Sequence, residues 1–141
     1  MYATQQKVDN YYHTQSDWRT KAYQVNKSFI PAASPGFNDT GVRDGHIPLS
    51  RKLTSDDEFG SLFKAMVEKA ITLVDRKSDN LFVITSWNEW HEDTQIEPLA
   101  TAPATSIDDS PSQGDYTAGM EYEGYGTRYL DILKDLIPEE K

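Results

Sequence analysis

The sequence predicts an α/β fold in which helices cover a parallel sheet. Residues 81–85, LFVIT, form a short apolar run without helical spacing, which is typical of a strand buried on both faces. Residues 28–33 form a second run, in which Phe29 and Ile30 precede Pro31. The long amphipathic segment at residues 56–75 separates the two runs. Strands that alternate with helical segments are typical of βαβ units, whose strands are parallel.

Each predicted strand opens into polar side chains. Glu89, Glu92 and Glu97 follow the strand at residues 81–85, close to several aromatic and polar residues. The carboxyl ends of parallel strands meet at one edge of a sheet, where catalytic side chains gather. Paired carboxylates perform glycoside cleavage, and flat aromatic rings pack against sugars. The alternative is a solvated acidic loop with two buried tryptophans.

A second polar segment follows the strand at residues 28–33. Asn38, Asp39 and Arg43 come after the turn at residues 34–36, SPG. They are predicted to reach the same pocket as the glutamates. A surface ion pair between Asp39 and Arg43 is the alternative, and such pairs are common and weak.

These two segments resemble a known family. NEWHEDTQIEP at residues 88–98 is similar to the NEWHEGTQIEP signature of the glycoside hydrolase family 99 endo-α-mannosidases and endo-α-mannanases. PGFNDT at residues 35–40, with Arg43, is similar to that family's PGYxDTxIR segment. The resemblance covers the chain from about residue 29 to its end.

The resemblance implies a (β/α)8 barrel that hydrolyses α-mannosidic bonds with retention. By this resemblance Glu92 is the general acid and base. Glu89 then assists the sugar 2-hydroxyl as it attacks the anomeric carbon to give a 1,2-anhydro sugar. The residues predicted to bind the substrate are Trp87, Asn88, Trp90, His91, Gln95, Glu97, Asn38, Asp39, Arg43 and Tyr2.

Two departures qualify the resemblance, and one further position is a candidate match to the family. Asp93 replaces the usual glycine, which puts a charge beside Glu92 and restricts the loop backbone. DGHIPLSR follows Arg43 in place of the more usual PWN-type continuation and leaves subsite specificity open. Tyr2 lies at about the right separation to match an active-site tyrosine that closes an upstream strand in the family. A frayed terminus is the alternative for residues 1–15.

The length limits how much of a barrel is present. The 141 residues suffice for one core, but an eight-unit barrel needs roughly 250 residues. We therefore expect residues 1–141 to form a single partial domain, the C-terminal portion of a TIM-type barrel that lacks N-terminal units. No internal repeat or second domain is visible in the sequence.

The remaining elements are predicted from capping and periodicity. A short helix is expected at residues 16–25 with Ser16 as its N-cap. A capping box at residues 55–58 is expected to begin a helix over residues 56–75, after an exposed loop at residues 41–54. Residues 99–120 read as a long loop, in or beside which Tyr116, Tyr122 and Tyr125 are candidates for a sugar-facing lip. A closing helix is expected at residues 126–137.

Composition narrows the possible partners. The net charge of -9 and pI near 4.7 argue against nucleic acid or an anionic membrane surface and are compatible with a neutral glycan. There is no cysteine, no apolar stretch of membrane-spanning length, and no cofactor motif. The spacing of His13, His46 and His91 does not suggest a metal site.

The sequence leaves a second class of function open. Family 99-like domains also occur in proteins of polysaccharide biosynthesis, and a partial domain is compatible with carbohydrate binding without catalysis. The sequence does not indicate a compartment.

Overall fold

The computed structural model describes residues 1–43, 45–102 and 123–137. Two short strands and three α-helices form the described part of the chain, together with a short 3-10 helix at Arg76–Ser78. In chain order they are α1 (Gln5–Gln24), β1 (Ala32–Ala33), α2 (Ser61–Ile71), β2 (Val83–Ile84) and α3 (Arg128–Leu136).

β1 and β2 are parallel neighbours, which confirms the predicted α/β class. Ala32 pairs with Val83 and Ala33 pairs with Ile84, and α2 forms the connection between the strands. Both strands are shorter than predicted. The expectation of burial on both faces is wrong for β2, since Val83 is 49% exposed. The described sheet has only two strands, and its face at Val83 is partly open to solvent.

The core lies between α2 and its neighbours. The buried face of α2 includes Leu62, Phe63 and Val67, which confirms the predicted apolar stripe. Tyr129 of α3 is fully buried, and its ring meets Phe63 edge-on with centroids 5.4 Å apart. The closing helix is thus confirmed, with its bounds inside the predicted residues 126–137.

The prediction of a helix at residues 16–25 is wrong in its start. α1 begins at Gln5, and Ser16 lies inside the helix instead of capping it. Val8, Tyr12 and Gln15 are buried at helical spacing, a pattern hidden in a polar stretch. Gln15 also exchanges hydrogen bonds with the backbone of Ala32, so α1 covers the outer edge of β1.

The predicted capping box is also wrong. Asp57 Oδ2 accepts hydrogen bonds from the backbone and hydroxyl of Thr54, which closes a turn in place of a helix start. Gly60 then adopts a left-handed φ of 87°, and α2 begins at Ser61. Such a φ favours glycine because it has no Cβ.

Two predicted loops differ in how far they are tested. The segment at residues 41–54 is exposed around Ile47, but Arg51 is only 4% exposed, so the prediction of an exposed loop is wrong there. Of the long loop at residues 99–120 only residues 99–102 are described. Tyr116 and Tyr122 lie outside the described residues. Among the described helices, none combines the length and the apolar character that a membrane crossing requires.

Candidate active site

The two catalytic candidates lie on a compact turn that follows β2. This glutamate turn, residues 86–94, is closed at its base by Ser86 and Thr94. Ser86 N donates to Thr94 O at 2.7 Å, and the two hydroxyls are 2.9 Å apart. Within the turn, Glu89 N donates to Ser86 Oγ and Thr94 N donates to Glu89 O. The strand therefore ends before Trp87, as an active-site turn requires.

The polar segment after β1 meets this turn at Glu92. We call residues 38–43 the aspartate loop. Asn38 N donates to Glu92 O at 2.8 Å. Arg43 Nη1 lies 2.8 Å from Asp39 Oδ2 and 3.0 Å from Glu92 Oε1. The Asp39–Arg43 pair is thus more than a surface contact, because it reaches a catalytic candidate from the other strand.

Asp39 is the buried anchor of the aspartate loop. Its side chain is fully buried, and Oδ2 contacts both Arg43 and His46 Nδ1 at 2.8 Å. Burial raises the pKa of Asp39, but the hydrogen bonds from Arg43 and His46 and the charge of His46 together lower it by more, so the net pKa lies below the ordinary value. Asp39 is therefore held as a carboxylate near neutral pH.

The two glutamates have different surroundings. The Glu92 side chain is 33% exposed and faces the guanidinium of Arg43. The hydrogen bonds that Arg43 donates to Asp39 and Glu92 raise the pKa of Arg43. The Glu89 side chain is 48% exposed, and its Oε1 accepts from His91 N at 3.2 Å with His91 Nδ1 3.6 Å away. Carboxylates in unlike surroundings suit unlike roles.

The remaining predicted residues of the signature divide by exposure. Trp87 is 53% exposed and Asn88 is exposed, whereas Trp90 is half-buried. Gln95 is 1% exposed, and its Nε2 donates to Asp93 Oδ1 at 3.0 Å. Glu97 is half-buried. The side chain of Gln95 is thus packed inside the fold, while Trp87 presents an open aromatic surface.

Asp93 turns its carboxylate toward Arg51. Arg51 Nη2 donates to Asp93 Oδ1 at 2.9 Å, and Asp93 itself has a left-handed φ of 48°. The charge that Asp93 brings beside Glu92 is therefore paired. The family's usual glycine fits this φ without strain, which explains why an aspartate here restricts the backbone.

Two tyrosines lie at other parts of the site. Tyr125 donates its hydroxyl to Glu97 O at 2.9 Å, and burial raises its pKa to about 12, so it remains a donor inside the fold. Tyr2 is 42% exposed and lies three residues before the start of α1 at Gln5. Ser50 N donates to Met1 O at 2.8 Å, which places residue 1 beside the segment that follows the aspartate loop. The substrate contact of Tyr2 stays a prediction.

The sequence did not reveal the parts played by Arg51 and His46. Both lie in a segment without periodicity, and a buried arginine becomes visible only through its tertiary partners. One sequence signal indicates that a cation lies near Asp93, although it does not identify Arg51. An aspartate in place of the usual glycine needs a reason, and a nearby cation supplies one.

Comparison with known proteins decides the family. The model of glycosyl hydrolase family 99 matches residues 2–120. The chain belongs to this family. A Xenopus laevis glycoprotein endo-alpha-1,2-mannosidase is 35% identical over 111 residues, which cover 79% of this chain and 20% of the relative. A Danio rerio endo-alpha-1,2-mannosidase-like protein is 34% identical over 94 residues, 64% of this chain and 20% of that protein.

Solved structures give the same relationship. The GH99 endo-alpha-mannosidase from Bacteroides thetaiotaomicron, in complex with bis-tris-propane, matches with a TM-score of 0.53 and 27% identity. The match covers 96% of this chain and 38% of that enzyme. A glycoside hydrolase-like protein that is 21% identical, with a TM-score of 0.58, supports the fold alone. The chain thus spans about a fifth of these curated relatives and well under half of the solved enzyme.

Proposed function

We propose that this chain carries the catalytic glutamates of a retaining, endo-acting glycoside hydrolase that cleaves α-mannosidic bonds in glycans. Membership of glycosyl hydrolase family 99 and the mannosidase names of its relatives support this substrate class. The observation that carries the proposal is the contact of Arg43 with Glu92 at 3.0 Å, which joins the two motifs of the family at one carboxylate.

In this proposal Glu92 is the general acid and base. It protonates the leaving oxygen as the anomeric bond breaks, while Glu89 takes the proton of the sugar 2-hydroxyl whose oxygen attacks the anomeric carbon. Water then opens the 1,2-anhydro sugar as Glu92 accepts its proton and Glu89 returns one to the 2-oxygen. Two inversions at the same carbon give net retention.

The surrounding side chains are proposed to bind the glycan. The exposed ring of Trp87 offers an apolar face to a sugar, and Asn88, His91 and Glu97 offer polar groups near the glutamates. Arg43, held by Asp39, orients the Glu92 side chain, and Asn38 holds the Glu92 backbone through its own N–H. Trp90, Gln95 and Tyr2 complete the proposed set. Of these, Asp39 and Gln95 act from inside the fold because both are buried.

We also propose that this chain works as the C-terminal part of a (β/α)8 barrel together with further N-terminal units. The two parallel strands joined through α2 are compatible with one βαβ step of such a barrel. An apolar cavity of about 330 Å³ is lined by residues of α1 and α2, including Val8, Leu62 and Met66. It offers space for a neighbouring element of a larger core.

The test is glycan cleavage by this chain joined to the N-terminal units of the Bacteroides thetaiotaomicron enzyme. We expect release of an α-configured product from an α-mannoside, detected by NMR of the anomeric proton before it equilibrates. A substrate without a free 2-hydroxyl should stay intact. Release of the β-anomer, or cleavage of the 2-deoxy substrate at the normal rate, contradicts the proposed mechanism.

A non-catalytic carbohydrate-binding role, or a role in polysaccharide biosynthesis, is the second candidate. The exposed ring of Trp87 favours binding, because an aromatic face packs against a sugar whether or not a bond is cleaved. The same assay separates the two. Binding of an α-mannoside by the joined protein without any cleavage supports the second candidate.

A further inference from the structure

A buried arginine, Arg51, hydrogen-bonds to the backbone at the base of the glutamate turn. Arg51 is 4% exposed, and its Nη2 donates to Asp93 O at 2.9 Å while Nη1 donates to Gln95 O at 3.0 Å. These two carbonyls flank Thr94, the residue that closes the turn on Ser86. The fork of the guanidinium therefore fixes both sides of the closing residue at once.

The same guanidinium also links the turn to the α3 region. Its Cζ lies 5.2 Å from the ring centre of Tyr125 and 5.1 Å from that of Tyr129. Aromatic faces at this distance attract a cation. Tyr125 donates to Glu97 O and Gln95 O as well, so the backbone that follows the turn is bonded from two sides.

Asp93 supplies the counter-ion. A buried guanidinium needs a paired charge, and Asp93 Oδ1 accepts from Arg51 at 2.9 Å. Gln95 Nε2 donates to the same oxygen. Asp93 keeps a left-handed φ of 48° although it is not glycine. Asp93, the residue directly after Glu92, thus combines the ion pair to Arg51 with a left-handed backbone conformation.

We propose that Arg51 is a positioning residue for Glu92, acting through the carbonyls of residues 93 and 95 with Asp93 as its counter-ion. The inference rests on the proposed function, because the position of Glu92 matters for catalysis only if Glu92 acts on substrate. The hydrogen bonds of Arg51 to the turn are a property of the chain itself and are tested without any substrate.

The test is amide hydrogen exchange of this chain, measured by NMR for Arg51→Lys. Lysine keeps the charge but cannot span two carbonyls as a planar fork. We expect protection of the amides of Ser86, Thr94 and Ile96 to fall about tenfold or more, since hydrogen bonds to charged groups are strong. Protection within α2 should change less than about twofold if the core is intact.

The Glu92 carboxyl carbon supplies a second signal, which reports the position of Glu92 itself and not only the stability of the turn. Its ¹³C resonance should shift in Arg51→Lys, because the turn no longer holds Glu92 against Arg43. The matched control is Arg128→Lys. Arg128 pairs with Glu58 and Phe59, outside the turn, so both signals should stay as in the unmodified chain.

Asp93→Asn is a second variant that keeps the inference testable if Arg51→Lys does not fold. It keeps the shape of the side chain and removes the counter-ion of Arg51. We expect a smaller drop in protection, about threefold, at the same amides. Equal loss of protection in the turn and in α2, an unchanged turn in Arg51→Lys, or an unmoved Glu92 carboxyl resonance overturns the inference. Neither result bears on glycan cleavage, and a lack of cleavage in the joined protein leaves the exchange result intact.

Discussion

The aspartate loop and the glutamate turn meet at Glu92, and each is anchored by a buried charge of opposite sign. Arg51 anchors the turn by donating to backbone carbonyls of residues 93 and 95. Asp39 anchors the loop by accepting from the side chains of Arg43 and His46, both about half exposed. The first anchor fixes a backbone, and the second fixes a side chain that touches the catalytic candidate.

This difference predicts unlike responses to change. Burial lowers the pKa of Arg51, but the interactions with Asp93 and Tyr129 together raise it by more, so the net pKa lies above the ordinary value and Arg51 stays charged at every ordinary pH. Asp39 titrates in acid. The glutamate turn should therefore respond mainly to backbone geometry, and the aspartate loop should respond to pH.

The largest expected effect concerns the backbone at Asp93. Asp93→Ala removes the ion pair and leaves a left-handed φ that alanine tolerates poorly, whereas Asp93→Gly removes the ion pair alone. We expect both to lower the free energy of unfolding, with the alanine variant lower than the glycine variant by about 1 kcal/mol. Urea unfolding at neutral pH measures the difference.

Asp79 provides the matched control for this prediction. It has a similar left-handed φ of 52°, but its side chain forms no ion pair within the described residues. Asp79→Gly should therefore leave the free energy of unfolding equal or higher, while Asp79→Ala should lower it. If Asp93→Gly, like Asp79→Gly, does not lower the free energy of unfolding, the Arg51–Asp93 pair adds nothing to stability.

A smaller effect, confined to acid, is expected at Asp39. Its pKa in the folded chain lies below the unfolded value of about 3.9, so its contribution is complete above that value and is lost as pH falls through the folded pKa. Asp39→Asn should lower the urea midpoint by a constant amount above about pH 5, and the difference should shrink toward pH 2. The measurement is a series of urea midpoints for both proteins.

His46→Ala tests the same loop more finely. It removes one of two donors to Asp39 Oδ2 and leaves Arg43 in place, so its profile should fall between those of the unmodified chain and Asp39→Asn. His13→Ala is the control, because His13 is exposed on α1, away from the aspartate loop. A difference between unmodified chain and Asp39→Asn that is independent of pH would refute the acid dependence.

The meeting of the two loops followed from strand polarity. Parallel strands bring their carboxyl ends to one edge, so Arg43 and Glu92 were expected together although 49 positions separate them. The amphipathic stripe of α2 was equally visible, because six of its residues are buried at helical spacing.

Other features depend on tertiary contacts that a local pattern does not carry. The buried face of α1 rests on Val8, Tyr12 and Gln15, and a glutamine gives no hydrophobic signal. Arg51 lies in an aperiodic segment, and its burial depends on partners more than 40 residues away in sequence. The helix start at Ser61 was displaced because Asp57 bonds to Thr54 and not to a helix terminus.

The most direct test of the central claim is the first-step rate of Glu92→Gln and Glu89→Gln in the joined protein. The substrates are α-mannosides whose leaving groups differ in acidity. Loss of the acid costs typically ~10² to 10⁴ in rate, and a leaving group that needs no proton should restore much of it in Glu92→Gln. Glu89→Gln should stay slow with every leaving group, because Glu89 serves the 2-hydroxyl. Equal rescue of both variants would contradict the assignment of Glu92 as the acid.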